Sequence, residues 1–307
     1  MMSDNPYFVP GAPENIKDDH IVRAEALGGK VKALAISTTA AVEALRVCHD
    51  TANPVTAALG RFVTGSLLLS ENMKNPTDTQ TTVIKCTGPV KGMTCVTDSS
   101  FNVKAYPVDN YAPTTYHKPG KINVAEAVGE GTLTVIRDIG LKEPYVGSVE
   151  LISGEIAEDF TYYLAKSEQT PSVVALGVLM ADGKVKHAGG MMIQLLPGAG
   201  EEEISYLEAR TSGFPDISFL MEEGFSPAQI LDLFLGDPEI RYLHGAPVAF
   251  NCNCSKERMS SGLIALGRTE LEGLLDDPDG IETQCHFCNK KYRFSSDEIK
   301  ALIAEIG

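Results

Sequence analysis

Two short stretches near the C-terminus, NCNCSKERM (Asn251 to Met259) and QCHFCNKKY (Gln284 to Tyr292), hold four of the chain's seven cysteines, in a C-x-C and a C-x-x-C. Thiols at these spacings constrain the fold strongly, because they act only when the chain brings them together. Three uses are common: a structural metal site, a redox-active dithiol and a disulfide framework. The rest of the chain narrows the choice. Its first twenty residues, MMSDNPYFVPGAPENIKDDH, are acidic and proline-containing, without the basic start and apolar core of a secretory signal. A cytoplasmic location is therefore expected. No run approaches the roughly 18 continuous apolar residues of a membrane span, so no membrane partner is expected. The cytosol keeps thiols reduced, which makes a permanent disulfide framework the least consistent of the three uses. Metal binding and redox chemistry remain.

Upstream of the cysteines the hydrophobic period changes several times. KVKALAISTT from Lys30 reads as a strand, and AAVEALRVCH after it has helical spacing at Ala41, Ala44, Leu45 and Cys48. Asn53-Pro54 breaks that helix, and Pro54 suits the first turn of a second one, VTAALGRFVTGSLLLSENM, whose broad apolar face predicts burial. From Thr81 to Asp109 the period becomes two, with turn residues between short β-branched runs, as in an antiparallel meander. Strands are expected at Thr132 to Ile139 and Tyr145 to Leu151, then a helix through Ile156 to Lys166. A hairpin of SVVALGVLM and VKHAGGMMIQLL should close at Ala181-Asp182-Gly183-Lys184, where Asp-Gly supplies the positive φ angles of a tight turn.

After Pro197 the composition shifts. Gly198 to Ile240 carries ten acidic residues against one basic residue, Arg210, so like charges repel along its length. Large apolar side chains interleave with the acids, which fits short amphipathic helices divided by glycines. One should begin at Ser226, which can form a capping box with Gln229, with Pro227 in the first helical position. Helices this short are marginal without tertiary contacts. Composition alone is satisfied by a solvated acidic connector; a segment poised to unfold is the sharper reading. The expected organisation is therefore α+β: an N-terminal extension (1–20), a large mixed sheet-and-helix domain (21–197), an acidic helical linker (198–250) and a small four-cysteine zinc subdomain (251–307).

Zn²⁺ held by four thiolates is a closed tetrahedron, commonly built from two short cysteine loops. Cys252 with Cys254, and Cys285 with Cys288, supply two such loops. The segment between them offers two short helices with Leu263, Ile264, Leu266, Leu271, Leu274 and Leu275 as their apolar set, then an Asp277-Pro278-Asp279-Gly280 turn. A stretch of 57 residues is small enough to need a metal staple, and structural zinc supplies about 10–16 kcal/mol of apparent folding energy in small domains. Four thiolates leave no open position, which argues against hydrolytic zinc chemistry. Zinc also holds the sulfurs as thiolates, the oxidisable form. His286, inside the second loop, reads as a bystander.

Nucleic acid is a poor partner. The chain has a net charge of −15, and the four-cysteine segment itself carries seven Lys and Arg against ten Asp and Glu. Cys48, Cys86 and Cys95 lie on an expected helix and two neighbouring strands, where a free cysteine acts as a small core hydrophobe. His20, His49, His117, His187 and His244 are scattered without a paired nucleophile or metal spacing. The chain has no P-loop, G-x-G-x-x-G or G-x-S-x-G motif, so no enzyme is expected.

FNCNCSKERM and QCHFCNKKYRF at the C-terminus, with DFTYYLAKSEQTPS (Asp159 to Ser172) and HAGGMMIQLLPGA (His187 to Ala199) upstream, resemble the redox-regulated 33 kDa heat-shock chaperone family. The resemblance runs from about Lys30 onward and leaves the first twenty or so residues unassigned; the family pattern defines no role for Cys48, Cys86 or Cys95. It implies an ATP-independent holdase that is inactive when reduced and zinc-bound, with one zinc per chain on Cys252, Cys254, Cys285 and Cys288. It further implies that peroxide or hypochlorous acid closes Cys285 with Cys288, then Cys252 with Cys254, and releases the metal. Residues from about Gly198 to Phe250 would then be the metastable linker over a surface for unfolded client proteins, and the oxidised form a homodimer. The alternative is a constitutive structural zinc site on a protein with an unrelated binding or nucleic-acid-associated role.

Overall fold

The structure, a computed structural model, describes residues 19–118, 120–277 and 280–306. Most of the N-terminal extension lies outside them, as do Pro278 and Asp279 of the expected turn. The chain divides into two compact units, with the division between Phe250 and Asn251.

In the larger unit β1 (His20–Ala26) and β2 (Val31–Ser37) form an antiparallel hairpin. Hydrophobic patterning alone does not announce β1. Helices α1 (Thr39–His49) and α2 (Asn53–Ser70) follow, with Pro54 in the first turn of α2 as expected. Sixteen of the eighteen α2 residues are buried, because the helix packs against strands of both large sheets. Its internal hydroxyls are satisfied locally: Thr64 donates to the Gly60 carbonyl at 2.7 Å and Ser66 to that of Phe62 at 2.8 Å.

The meander forms as β3 (Thr79–Cys86), β4 (Gly92–Asp98) and β5 (Asn102–Pro107). A small ribbon, β6 (Tyr116–Lys118) with β7 (Lys121–Ile122), and the short helix α3 (Val124–Val128) were not anticipated. Then come β8 (Gly131–Asp138), β9 (Tyr145–Glu150), α4 (Ala157–Lys166), β10 (Ser172–Ala181) and β11 (Lys184–Leu195). At the β10–β11 turn Asp182 and Gly183 have φ of 50° and 71°, the positive pair a two-residue hairpin loop requires.

The acidic segment contains three helices, α5 (Glu201–Thr211), α6 (Ile217–Glu222) and α7 (Pro227–Leu235). Ser226 and Gln229 form the capping box at the start of α7. The segment is not helical throughout. It ends in β12 (Arg241–Pro247), which pairs with β1, and β13 (Ala249–Phe250), which pairs with β5 in parallel. The result is a five-stranded sheet ordered β10-β11-β2-β1-β12 and a six-stranded sheet ordered β13-β5-β4-β3-β8-β9.

The five-stranded sheet is covered on both faces, which explains the unbroken burial of β2 from Val31 to Ile36. Leu34 and Ile36 join the core around α2. On the opposite face Val22, Ala24, Val31, Ala33, Ala35, Met191 and Ile193 pack under Leu207, Leu220, Ile230, Leu231 and Phe234 of α5 to α7. The acidic helices thus cap an otherwise bare apolar sheet.

The smaller unit contains α8 (Lys256–Ile264), α9 (Arg268–Gly273), a 3₁₀ turn over Leu274–Asp276, the hairpin β14 (Ile281–Gln284) and β15 (Lys291–Phe294), and α10 (Ser296–Glu305). The hairpin and α10 are additions to the two helices expected. Leu263, Leu271, Tyr292, Phe294, Ile299 and Leu302 form its buried core, with Ile264, Leu274 and Leu275 at its margin. Leu266 stands apart from the apolar set expected from sequence: it is 56% exposed.

Candidate metal centre

Local structure aims each cysteine. Cys252 and Cys254 lie on irregular chain just after β13, and Ser255 ends that stretch by capping α8, its side chain accepting from the Arg258 N–H at 3.3 Å. Cys285 and Cys288 occupy the turn of the β14–β15 hairpin. There the Asn289 N–H donates to the Cys285 carbonyl at 2.8 Å and the Cys285 N–H to that of Lys290 at 3.0 Å. Asn289 takes φ of 56°, which closes the turn.

The four sulfurs lie within 4.8 Å of one another. Cys252 Sγ is 3.6 Å from Cys285 Sγ, and Cys254 Sγ is 3.3 Å from Cys288 Sγ. A tetrahedron with Zn–S bonds of about 2.3 Å has edges of about 3.8 Å, so the set matches zinc in donor number, donor type and spacing. Among the described residues it is the one group of His, Cys, Asp or Glu close enough to hold a metal ion. His286 is exposed and is not part of it.

The electrostatics call for a cation. Burial pushes the Cys252 and Cys288 thiols up, and at Cys288 the three neighbouring thiols add to the rise. At Cys254 burial acts the same way but is outweighed by hydrogen bonds, first from the Tyr292 hydroxyl and then from the other thiols, which hold it down at about 7. Four thiolates this close repel one another, and only a bound cation lets all four ionise together. Tyr292 Oη donates to Cys254 Sγ at 3.0 Å. The sequence displayed Tyr292 beside the C-x-x-C motif but gave no sign that it reaches the C-x-C sulfur.

The remaining cysteines stay apart. Cys95 is buried on β4, where burial pushes its thiol up to about 12; Cys86 is half-buried on β3 and Cys48 half-buried on α1. The histidines do not converge. His49 Nε2 lies 3.0 Å from the Ala105 carbonyl, His117 pairs with Glu155 at 2.7 Å, and His187 pairs with Glu222 at 2.9 Å.

Fold and site together define an α+β protein whose small C-terminal unit is organised around four converging thiols. The family described as Hsp33 protein matches residues 19–295, and the chain belongs to that family, which places it among chaperones. The 33 kDa chaperonin of Lachnoclostridium phytofermentans is 44% identical, with 93% of this chain and 98% of that protein covered. The 33 kDa chaperonin of Clostridioides difficile is 43% identical, covering 94% and 99%. The crystal structure of the 33 kDa chaperonin from Thermotoga maritima superposes with a TM-score of 0.85 at 32% identity, covering 93% of this chain and 98% of that one. The family match begins at residue 19, so it takes in β1, ahead of the Lys30 start of the motif resemblance. Among the described residues no helix is long and apolar enough to cross a membrane.

Proposed function

We propose that the chain is a redox-switched, ATP-independent holdase of the cytoplasm rather than an enzyme, with one zinc held by Cys252, Cys254, Cys285 and Cys288 in the reduced form. The observation that carries this reading is the convergence of four sulfurs in a unit whose core, among the described residues, is six buried side chains. So small a core depends on its metal. Peroxide takes two electrons from each cysteine pair. One thiolate attacks the peroxide oxygen and becomes a sulfenic acid; the second displaces hydroxide and forms the disulfide. Four thiolates, two peroxides and four protons give two disulfides and four waters, and zinc is left without ligands.

The disulfides proposed are Cys252–Cys254 and Cys285–Cys288, although the two shortest sulfur distances join Cys252 to Cys285 and Cys254 to Cys288. Loop closure favours the local pairs once the unit loosens. Bonds across 33 or 34 residues must hold a long loop closed, whereas those within C-x-C and C-x-x-C close almost none.

Residues 198–250 act as the metastable linker. Phe250, the last residue of β13, stands two positions before Cys252, so disorder at the thiols starts next to a strand of two residues. Release of α5 to α7 would bare the apolar face containing Val22, Val31, Met191 and Ile193, a surface suited to unfolded clients. The oxidised form is proposed to act as a homodimer, without nucleic-acid partners.

The test is aggregation of a heat-denatured client with reduced and oxidised protein. The oxidised form should suppress aggregation near stoichiometry and the reduced form should not; equal suppression by both would leave a constitutive zinc staple as the better reading.

A further inference from the structure

We propose that Tyr292 is a positioning residue of the thiolate centre, its hydroxyl fixing Cys254 as a metal ligand and thereby raising metal affinity. This rests on the reading of the four cysteines as zinc ligands. On β15 the exposed Lys291 and Arg293 reach Glu282 of β14 at 2.7 and 3.3 Å, while Tyr292 and Phe294 point inward. Tyr292 is 8% exposed and packs in the same cluster as Leu263, Leu271 and Phe294. Packing restrains its rotamer and holds the hydroxyl 3.0 Å from Cys254 Sγ.

That bond joins residues 38 positions apart. It ties the C-x-C loop to the hairpin that carries the C-x-x-C pair, so it orders the two halves of the site with no help from the metal. A phenol is a donor matched to a negatively charged sulfur and stabilises the thiolate over the thiol. The Lys290 ammonium lies over the Tyr292 ring, 5.3 Å from its centroid, a cation–π contact that helps hold the ring in place. Groups that hydrogen-bond metal ligands restrict ligand orientation and tune the metal, and their loss commonly costs 10–100-fold in affinity.

The experiment uses Tyr292→Phe in the full chain, which keeps the ring and deletes only the hydroxyl. Zinc affinity is measured by competition with a chromogenic chelator. Thiolate-to-metal charge transfer is read after cobalt substitution, a signature that reports on the sulfur itself. The variant should bind zinc about 10-fold or more weakly, and its charge-transfer band should move to longer wavelength as the sulfur loses its hydrogen bond. Fluorotyrosine at position 292, a stronger donor of nearly the same shape, should move the band the other way and keeps the test open if Tyr292→Phe fails to fold. Unchanged zinc affinity and an unmoved band in the variants would overturn the proposal. Zinc retained by a quadruple serine variant of the four cysteines would instead overturn the ligand assignment on which it rests.

Discussion

The backbone of Ser218 passes over Gly177 so closely that a Cβ at Gly177 would lie 2.6 Å from the Ser218 nitrogen. Gly177 sits opposite Gly189 across the β10–β11 hairpin, and a Cβ at Gly189 would meet Met221 Sδ at 2.7 Å. The two glycines form a bare patch of sheet onto which α6 settles. Gly177→Ala should lift α6, because the obstructing atom is backbone and cannot swing away. Overpacking of this kind typically costs about 1–3 kcal/mol. The expected outcome is binding of an apolar dye and partial client protection by the reduced variant with its zinc still bound. Dye binding no greater than in the parent protein would show that α6 does not gate the apolar face.

Acid should loosen the same helices. Lys186 holds the Glu222 carboxyl below its usual range, with His187 also contributing, and Lys30 does the same for Glu203, where the Gly200 N–H assists. A depressed carboxylate gives stability that is present above its unfolded value and is lost as pH falls through its folded value. The window therefore opens below about pH 4.3 and closes at the lower folded values. Hydrogen exchange in α5 and α6, corrected for the intrinsic pH dependence, should rise there before exchange in α2. Lys186→Met should weaken the effect at α6 and leave α5 unchanged.

Removing one proposed ligand should separate the cysteines into two groups. Cys285→Ser is expected to lose zinc and to unfold the smaller unit, read as a loss of helical circular dichroism from α8 to α10. Cys86→Ser, on β3 of the larger unit, should keep its zinc content. Equal zinc in both variants would contradict the ligand assignment.

Asp159 accounts physically for one stretch of the family resemblance. It is fully buried, and its carboxylate accepts from the N–H groups of Ile152, Ser153 and Ile156 at 2.7, 3.0 and 2.9 Å. Ile156 has φ of 75°, a region costly for a β-branched residue and held here by that clamp. Asp159→Ala leaves these donors, and the Gly154 N–H that reaches the same carboxylate at 3.4 Å, without an acceptor and should cost about 2–4 kcal/mol. Denaturant unfolding of the larger unit should show the loss, while zinc affinity stays at the parent value.

Sequence alone was sufficient wherever a residue's role is settled by near neighbours. Pro54 starts α2, Asp182-Gly183 turns β10 into β11, and Ser226 with Gln229 caps α7, because turn and cap energies act over a few residues. The same locality made the C-x-C and C-x-x-C pairs visible. Tertiary structure decided the features whose partners are distant. RYLHGAP becomes β12 because β1 offers a free edge more than two hundred residues earlier, and nothing in those seven residues announces it. Leu266 shares the apolar character of Leu263 and Leu271 yet is exposed, because it falls in the turn between α8 and α9 rather than on a helix face turned to the core. The four sulfurs converge, and Tyr292 reaches Cys254, only when the β14–β15 hairpin folds back on the chain before α8. Hydrophobic periodicity shows which residues seek a partner, but which partner they meet depends on contacts that exist only in the folded chain.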